Sequence, residues 1–511
     1  MTRKIRLNLN RVEGDLEIEV AVENGRITDA WSIGTLYRGF EQIMVGRAPM
    51  DALAITPRIC GICGTAHLMA AAQALEQAFA IPVPANATRV RNLCLMAEEV
   101  QSDSRQTFLM FCIDLCNPAY AALPGYAEVL AAFEEMKGSI YRQTIQHSKR
   151  LLEIVALFGG QWPHSSYMVP GGVTSLHSAR HIADAESIIE SYIDWYQQAI
   201  LGGKLEDWLM LQSAEDFEAW IDHPSRQGAA ITLFTRFCRS AGIGGVGKGI
   251  DLFLSQGAHV DPAAWAPPFV QRNCLRAAGL YDGSSGQTSP YDQALVSEDV
   301  SHSWFHDRQE TPRHPFDGET IPKYQPGGSR YSWAKAPRYD GKAVQTGALA
   351  QLLVAGDPLT RTMHRQHGGG AWLRQFVRFH RPASTLMMLR KTLADLADPA
   401  TAGAPYCIPT KLGSDGQGFG LVEAARGSLG HWVKIKDGRI AKYQIITPTA
   451  WSASPRDRSG QRGHYEESLI GLPIEDEEDP QAVGHVIRSN DPCLVCTVHF
   501  VHSGKRLRLG T

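Results

Sequence analysis

Two Cys-x-x-Cys pairs of identical spacing, Cys60/Cys63 and Cys493/Cys496, carry the most specific chemistry in this chain of 511 residues. Two residues between cysteines let both sulfurs reach one ion from a single turn of backbone. Two such pairs supply four thiolates, a full set for a soft or borderline metal. Each pair is followed by a histidine, His67 and His499, a residue type suited to steadying a metal-bound thiolate through a hydrogen bond. Spacing alone leaves two rival chemistries open. Four cysteines also make a structural zinc site, but zinc ribbons separate their pairs by about 15 to 20 residues, whereas Cys493 follows Cys63 by 430 positions. A dithiol redox centre would account for one pair and leave the matching second pair without a role.

These thiols need elements that hold them. The first pair, in Pro57-Arg58-Ile59-Cys60-Gly61-Ile62-Cys63-Gly64, immediately precedes the apolar-periodic run Leu68 to Phe79. The pattern predicts a helix whose free N–H groups and dipole favour thiolate. In the second pair Asp491 can cap a helix and Pro492 can take its first position. Further helical periodicity runs through Ala87 to Phe111, Glu128 to Phe158, Ala179 to Ile200 and Ala371 to Leu396. Alternating β-branched residues with an Asn24-Gly25 turn predict a hairpin near the start. A similar pattern with Asp437-Gly438 predicts strands across Phe419 to Thr447. The stretch from about Gly279 to Tyr339, rich in Gly, Ser, Pro and aromatic rings, reads as an ordered irregular excursion. The fold class expected is α+β, mainly α: a long-helix bundle core with small β-sheets formed by the N-terminal and C-terminal segments. A site joining both chain ends argues for one domain over residues 1–499, followed by a tail at 500–511.

Composition agrees: 44% hydrophobic and 20% charged residues make a globular chain. A formal net charge of -3 gives no electrostatic reason to bind nucleic acid or an anionic membrane. No run of about 18 apolar residues predicts a transmembrane segment. The polar start, Met1-Thr2-Arg3-Lys4-Ile5 leading to Asn8-Leu9-Asn10, lacks an apolar signal core, which makes a cytoplasmic location the expectation. Cys94, Cys112, Cys116, Cys238, Cys274 and Cys407 are scattered and read as buried thiols. They form no third cluster able to hold an iron-sulfur relay.

The two cysteine motifs, with Arg11-Val12-Glu13-Gly14-Asp15-Leu16, Leu36-Tyr37-Arg38-Gly39-Phe40-Glu41, Val169-Pro170-Gly171-Gly172-Val173, Tyr331-Ser332-Trp333-Ala334-Lys335-Ala336-Pro337-Arg338-Tyr339 and Ala425-Arg426-Gly427-Ser428-Leu429-Gly430-His431-Trp432, resemble the large subunits of nickel-iron hydrogenases, in order along almost the whole chain. The resemblance implies that Cys60 and Cys493 are terminal nickel thiolates, and that Cys63 and Cys496 bridge nickel to an iron carrying carbon monoxide and two cyanides. It implies heterolytic cleavage of H2, with Glu13 as proton relay. It places Arg426 and Asp114 over the metals, with Asp114 or Asp491 balancing the guanidinium. Thr449 would hydrogen-bond a cyanide, and His67 would donate to a bridging sulfur. Glu41, the Ile445 carbonyl and His499 resemble magnesium ligands. Electrons would pass to an iron-sulfur small subunit in a heterodimer or higher oligomer, and a maturation protease and nickel-insertion proteins would act on the chain, the protease removing the tail.

Arg11 to Asp15, Gly160 to Tyr167 and the final cysteine motif resemble the cytosolic uptake and H2-sensing branch (group 2), with membrane association only through partners. The segment Gln101 to Phe111 lacks the family's usual histidines, Val344 to Gln351 lacks the usual proline and arginine, and Ala425 and Ser452 replace a common proline and asparagine. These departures bear on subgroup and proton exit. The alternative function is a regulatory H2 sensor of low turnover. Sensors often alter the histidine after the first cysteine pair; His67 is present, which favours an uptake enzyme.

Overall fold

The computed structural model describes residues 3–263, 274–307, 312–474 and 480–494. The expectations placed on Cys496, His499 and the tail 500–511 fall outside these residues.

The hairpin near the start is part of a three-stranded antiparallel sheet, β1 (Arg3–Asn8), β2 (Leu16–Glu23) and β3 (Arg26–Gly34), in that order. Strand β2 alternates so that Leu16, Ile18 and Val20 are buried. Asn24 and Gly25 turn the chain with φ of 51° and 71°, the positive angles that match a hairpin to strand twist. The buried face packs with Tyr465, Leu469, Val483 and Ile487 from near the other end of the chain. The first and last parts of the sequence therefore share one core.

Long helices fill the middle: α1 (Gly64–Ala78), α2 (Ala85–Arg105), α3 (Tyr126–Phe133), α4 (Ser139–Gly159), α5 (Ala179–Trp195) and α6 (Ala371–Ala397). Helix α1 is buried on every side from Gly64 to Glu76, as its small apolar composition requires. Helix α2 runs on as a π-helical turn, Gln106–Phe111, and a 3₁₀ turn, Cys112–Cys116. The single helix expected from Glu128 to Phe158 is two, α3 and α4. Met136 takes φ 62° between them, and a Cβ at Gly138 would stand 2.4 Å from the Ala132 carbonyl oxygen, so the chain folds back there through a glycine. Periodicity cannot register such a reversal, because the apolar spacing resumes beyond it.

The stretch read as irregular holds strands at both ends. β4 (Leu252–Val260) pairs with β5 (Cys274–Asp282) and β5 with β6 (Gln287–Ser289), while β7 (Val296–Asp299) pairs with β8 (Ala336–Tyr339). β6, β7 and β8 are only three or four residues long, and β4, nine residues long and buried almost throughout, has no alternation to read. The last sheet, β9 (Gly416–Ala424), β10 (Gly427–Lys436) and β11 (Arg439–Ile446), forms where the alternating pattern places it, turning at Asp437 and Gly438 with φ of 51° and 71°. Strand β9 lies directly on α1. A Cβ on Gly420 would come within 1.9 Å of the Ala70 carbonyl oxygen, and one on Gly418 within 2.2 Å of that of Ala74.

Three short helices follow: Pro448–Ser452, which carries Thr449, then α7 (His464–Leu469) and α8 (Gln481–Ser489). Among the described residues no helix is long and apolar enough to cross a membrane. Of the six cysteines read as buried thiols, Cys94, Cys112 and Cys238 are buried, Cys116 and Cys274 are partly so, and Cys407 is exposed. Cys407 stands in an irregular link, opposite Gly172 across an isolated bridge, away from the helix faces that bury thiols.

Candidate metal centre

Cys60 follows the 3₁₀ turn Thr56–Arg58, and Cys63 is the cap residue of α1. The turn between them is tight. A Cβ at Gly64 would meet the Pro57 carbonyl oxygen at 3.2 Å, so the helix begins pressed against the turn that delivers Cys60. Cys493 arrives from the far end of the chain. Its neighbours Pro492 and Leu494 bond to Glu13, with Glu13 N–H donating to the Pro492 carbonyl at 3.2 Å and Leu494 N–H to the Glu13 carbonyl at 2.6 Å. Asp491 enters this bridge with φ 53°, a left-handed conformation that a short polar side chain tolerates better than most. The expected capping role of Asp491 is not what its side chain does. It turns instead to Arg426.

The result is that Cys60 Sγ and Cys493 Sγ stand 3.6 Å apart, both buried. Two sulfurs bound to one tetrahedral ion at about 2.3 Å each lie roughly 3.8 Å apart, against about 2.05 Å in a disulfide. The separation fits a shared ion. Cys60, Ile62, Cys63 and Cys493 make their own buried cluster. Among the described residues no three His, Cys, Asp or Glu side chains form a complete metal site; in the sequence the fourth thiol is Cys496.

Arg426, in the turn between β9 and β10, covers these sulfurs. Its Nη1 donates to Cys63 Sγ at 3.3 Å and its Nε pairs with Asp491 Oδ1 at 3.0 Å. Burial alone would depress this guanidinium, but Asp491 and then the cysteine sulfurs hold it well above its ordinary value. A fixed cation thus balances clustered thiolates in a site with little water. Thr449 Oγ1 accepts the Cys493 N–H at 3.0 Å, which seats that cysteine and leaves the hydroxyl hydrogen free to donate.

Behind Arg426 lies a layer that sequence reasoning missed. Arg381 grips Asp103 with two hydrogen bonds, of 2.8 and 2.6 Å, and donates to the Ala425 carbonyl at 2.8 Å. Arg378 donates to the Ser489 carbonyl at 2.7 Å, and Arg374 to Ser489 Oγ at 2.9 Å. These arginines of α6 therefore tie the residue before Arg426 and the end of α8 to one buried helix face. The signal was in the sequence: Arg374, Arg378 and Arg381 recur at helical spacing.

His67, one turn into α1, is buried, and its Nδ1 lies 3.1 Å from His431 Nε2. Burial, opposed by the Cys60 charge and reinforced by Arg38, brings its pKa down to about 4. Glu98, also missed, is buried beside the same turn, with Thr65 N–H and Trp162 Nε1 each at 3.4 Å. Burial pushes its carboxyl up to about 8 against those hydrogen bonds.

Other expected residues stand differently. Glu13 adjoins Cys493 through its backbone, and its partly exposed carboxylate faces Arg105 at 3.8 Å. Asp114 does not meet Arg426: it pairs with Arg11 and accepts from Arg488 Nε at 2.6 Å, at the 3₁₀ turn that follows α2. Of the two acids expected to balance Arg426, Asp491 is the one that pairs with it. Glu41 accepts the Ile445 N–H at 2.9 Å and meets the Lys335 ammonium at 3.2 Å. The expected magnesium set cannot be assembled from the described residues, since His499 lies outside them.

Against known proteins, the profile of the family described as nickel-dependent hydrogenase matches residues 38–122 and 117–499. The chain is 30% identical to the periplasmic [NiFeSe] hydrogenase large subunit of Desulfomicrobium baculatum, over 97% of this chain and 94% of that one. It is 28% identical to the uptake hydrogenase large subunit of Rhodobacter capsulatus, over 96% and 94%. The solved structure of the reduced Ni-Fe-Se hydrogenase of D. vulgaris Hildenborough superposes with a TM-score of 0.81 at 29% identity, covering 98% of this chain and 100% of that one.

Proposed function

The chain belongs to the nickel-dependent hydrogenase family, and on that premise we propose that it is the catalytic large subunit of an uptake enzyme that oxidises H2 and passes the electrons to an iron-sulfur small subunit. The observation that carries the reading is the meeting of Cys60 and Cys493 at 3.6 Å beneath Arg426. In this reading Cys60 and Cys493 would hold nickel, and Cys63 and Cys496 would hold both nickel and an iron bearing carbon monoxide and two cyanides. When bound, that pair of metals supplies the Lewis acidity and redox capacity for splitting H2.

The chain's own residues do the rest. Arg426 keeps the thiolates charged and orients what sits above them. Glu13, anchored by backbone to the residues either side of Cys493, receives the proton at its carboxylate and passes it toward solvent. The Thr449 hydroxyl, fixed by the Cys493 N–H, keeps a hydrogen that it would donate to a cyanide.

The reading extends to a magnesium ion beside Glu41, the Ile445 carbonyl and His499. Contact between Glu41 and the Ile445 backbone supports it, and the Lys335 ammonium on the same carboxylate is what such an ion must accommodate. For the partner, a cleft of about 820 Å³ is lined by Tyr37, Arg38, Trp304, Tyr324 and Trp333, and Arg38 also donates to the Ile59 carbonyl just before Cys60. A largely apolar, ring-lined surface linked through Arg38 to the turn that carries Cys60 suits docking of an electron acceptor.

A cytoplasmic location belongs to the same reading, in contrast to the periplasmic relative, and cell fractionation decides it. The assembled heterodimer is expected to reduce a dye under H2 over many turnovers, and the purified, metal-loaded large subunit alone is not. Sustained reduction by the large subunit alone would contradict the partner's role. A heterodimer that binds H2 yet barely reduces dye would favour the sensor.

A further inference from the structure

Two buried residues have no task in that account: His431 on β10 and Tyr443 on β11. Tyr443 Oη lies 2.8 Å from His431 Nδ1, and His431 Nε2 lies 3.1 Å from His67 Nδ1. All three side chains are buried, on two neighbouring strands and the cysteine helix. The other edge of His67, Nε2, is buried with no hydrogen-bond partner among the described residues. Cys60 is near enough to act on that ring electrostatically.

Counting protons gives the chain a direction. His67 Nδ1 and His431 Nε2 face each other at 3.1 Å, a distance at which the two nitrogens share one proton between them, and His431 Nδ1 and Tyr443 Oη share another at 2.8 Å. Among the described residues the Tyr443 O–H has no hydrogen-bond partner besides His431 Nδ1. Leaving a buried O–H unpaired costs about 1–3 kcal/mol. The phenol therefore donates, and His431 must carry its proton on Nε2. That proton is donated to His67 Nδ1, which forces the proton of His67 onto Nε2, the edge without a partner. The reverse arrangement would strand the phenolic hydrogen.

We infer that Tyr443 and His431 are positioning residues that lock His67 as the Nε2–H tautomer, so that it offers a donor to a thiolate of the cysteine cluster. The direction of the relay follows from its own hydrogen bonds. Only the identity of the acceptor rests on the metal-thiolate reading.

The test is ¹⁵N NMR of the full chain labelled at histidine, with the His67 signals identified by their loss in His67→Gln. In the unsubstituted protein the proton is expected on Nε2. Tyr443→Phe keeps the ring and removes the only hydroxyl of the relay. It is expected to lower the ratio of the Nε2–H to the Nδ1–H form of His67 roughly tenfold, equivalent to about 1.4 kcal/mol. His431→Asn, which breaks the relay at its middle, is expected to lower it as well. A His67 protonated on Nδ1 in the unsubstituted chain would overturn the inference, and so would a ratio unchanged in both variants. A structural role alone would lower stability without moving the tautomer. The readout needs no metal, so it stands apart from any failure of the metal reading.

Discussion

Arg426 touches a thiol and a carboxylate at once, and neither contact can be replaced by charge alone. Arg426→Lys keeps the cation but loses the fork that spans Cys63 Sγ and Asp491. H2-dependent dye reduction is expected to fall about 10- to 100-fold, the usual cost of losing a group that steadies a metal ligand. Nickel content should remain. Equal activity in the variant would show that the guanidinium geometry is irrelevant. The cysteines were legible from their spacing, because a metal needs several sulfurs within one turn of backbone. The partner of Arg426 was not: Asp114 and Asp491 are equivalent acids in the sequence, and only the fold sends Asp114 to Arg11 and Arg488. His431 was visible in the quoted motif, but its task depends on Tyr443 lying across a strand pair.

The cysteine helix is positioned by contact between backbones. Strand β9 rests on α1 through Gly418 and Gly420, which sets the turn carrying Arg426 over the turn carrying Cys63. Gly420→Ala places a methyl 1.9 Å from the Ala70 carbonyl oxygen and is expected to destabilise the protein by about 1–3 kcal/mol. Its melting temperature should fall, whereas Gly244→Ala, in open space, should leave it unchanged. Equal melting would mean that β9 shifts without cost.

Helix α7 is joined to β3 through Glu466, which accepts from Ser32 N–H at 3.0 Å and from the Tyr331 hydroxyl at 2.7 Å. Burial raises its pKa from the ordinary 4.5 to about 7, against those hydrogen bonds. In that window the folded protein keeps a proton that the unfolded chain releases, so stability falls as pH rises from about 4.5 to about 7. Between about pH 5 and pH 8 the loss is expected to be roughly 1–3 kcal/mol, read from urea midpoints. Glu466→Gln should make the slope shallower by that share, the share of Glu98, raised to about 8, remaining; an equally steep slope in the variant would place the proton elsewhere. Long helices and both terminal sheets were legible because their periodicity is sustained. The break before α4 was not, since it depends on a close approach at Gly138.

At the scale of the whole molecule, the site exists only because the two chain ends meet. Cys60 and Cys493, 433 positions apart, are brought together by the Glu13 bridge, the Arg488–Asp114–Arg11 contacts and the shared core under the first sheet. That both ends build one site was legible in the sequence from the paired motifs. The means of joining them was not, because backbone bridges leave no residue signature. The account stands on what this junction holds, and infrared spectroscopy with metal analysis of the assembled protein tests it most directly. The expected result is one nickel and one iron per chain, with carbonyl and cyanide stretching bands that vanish in Cys60→Ala. Zinc in place of both metals, with no such bands in protein made by cells able to mature the centre, would contradict it.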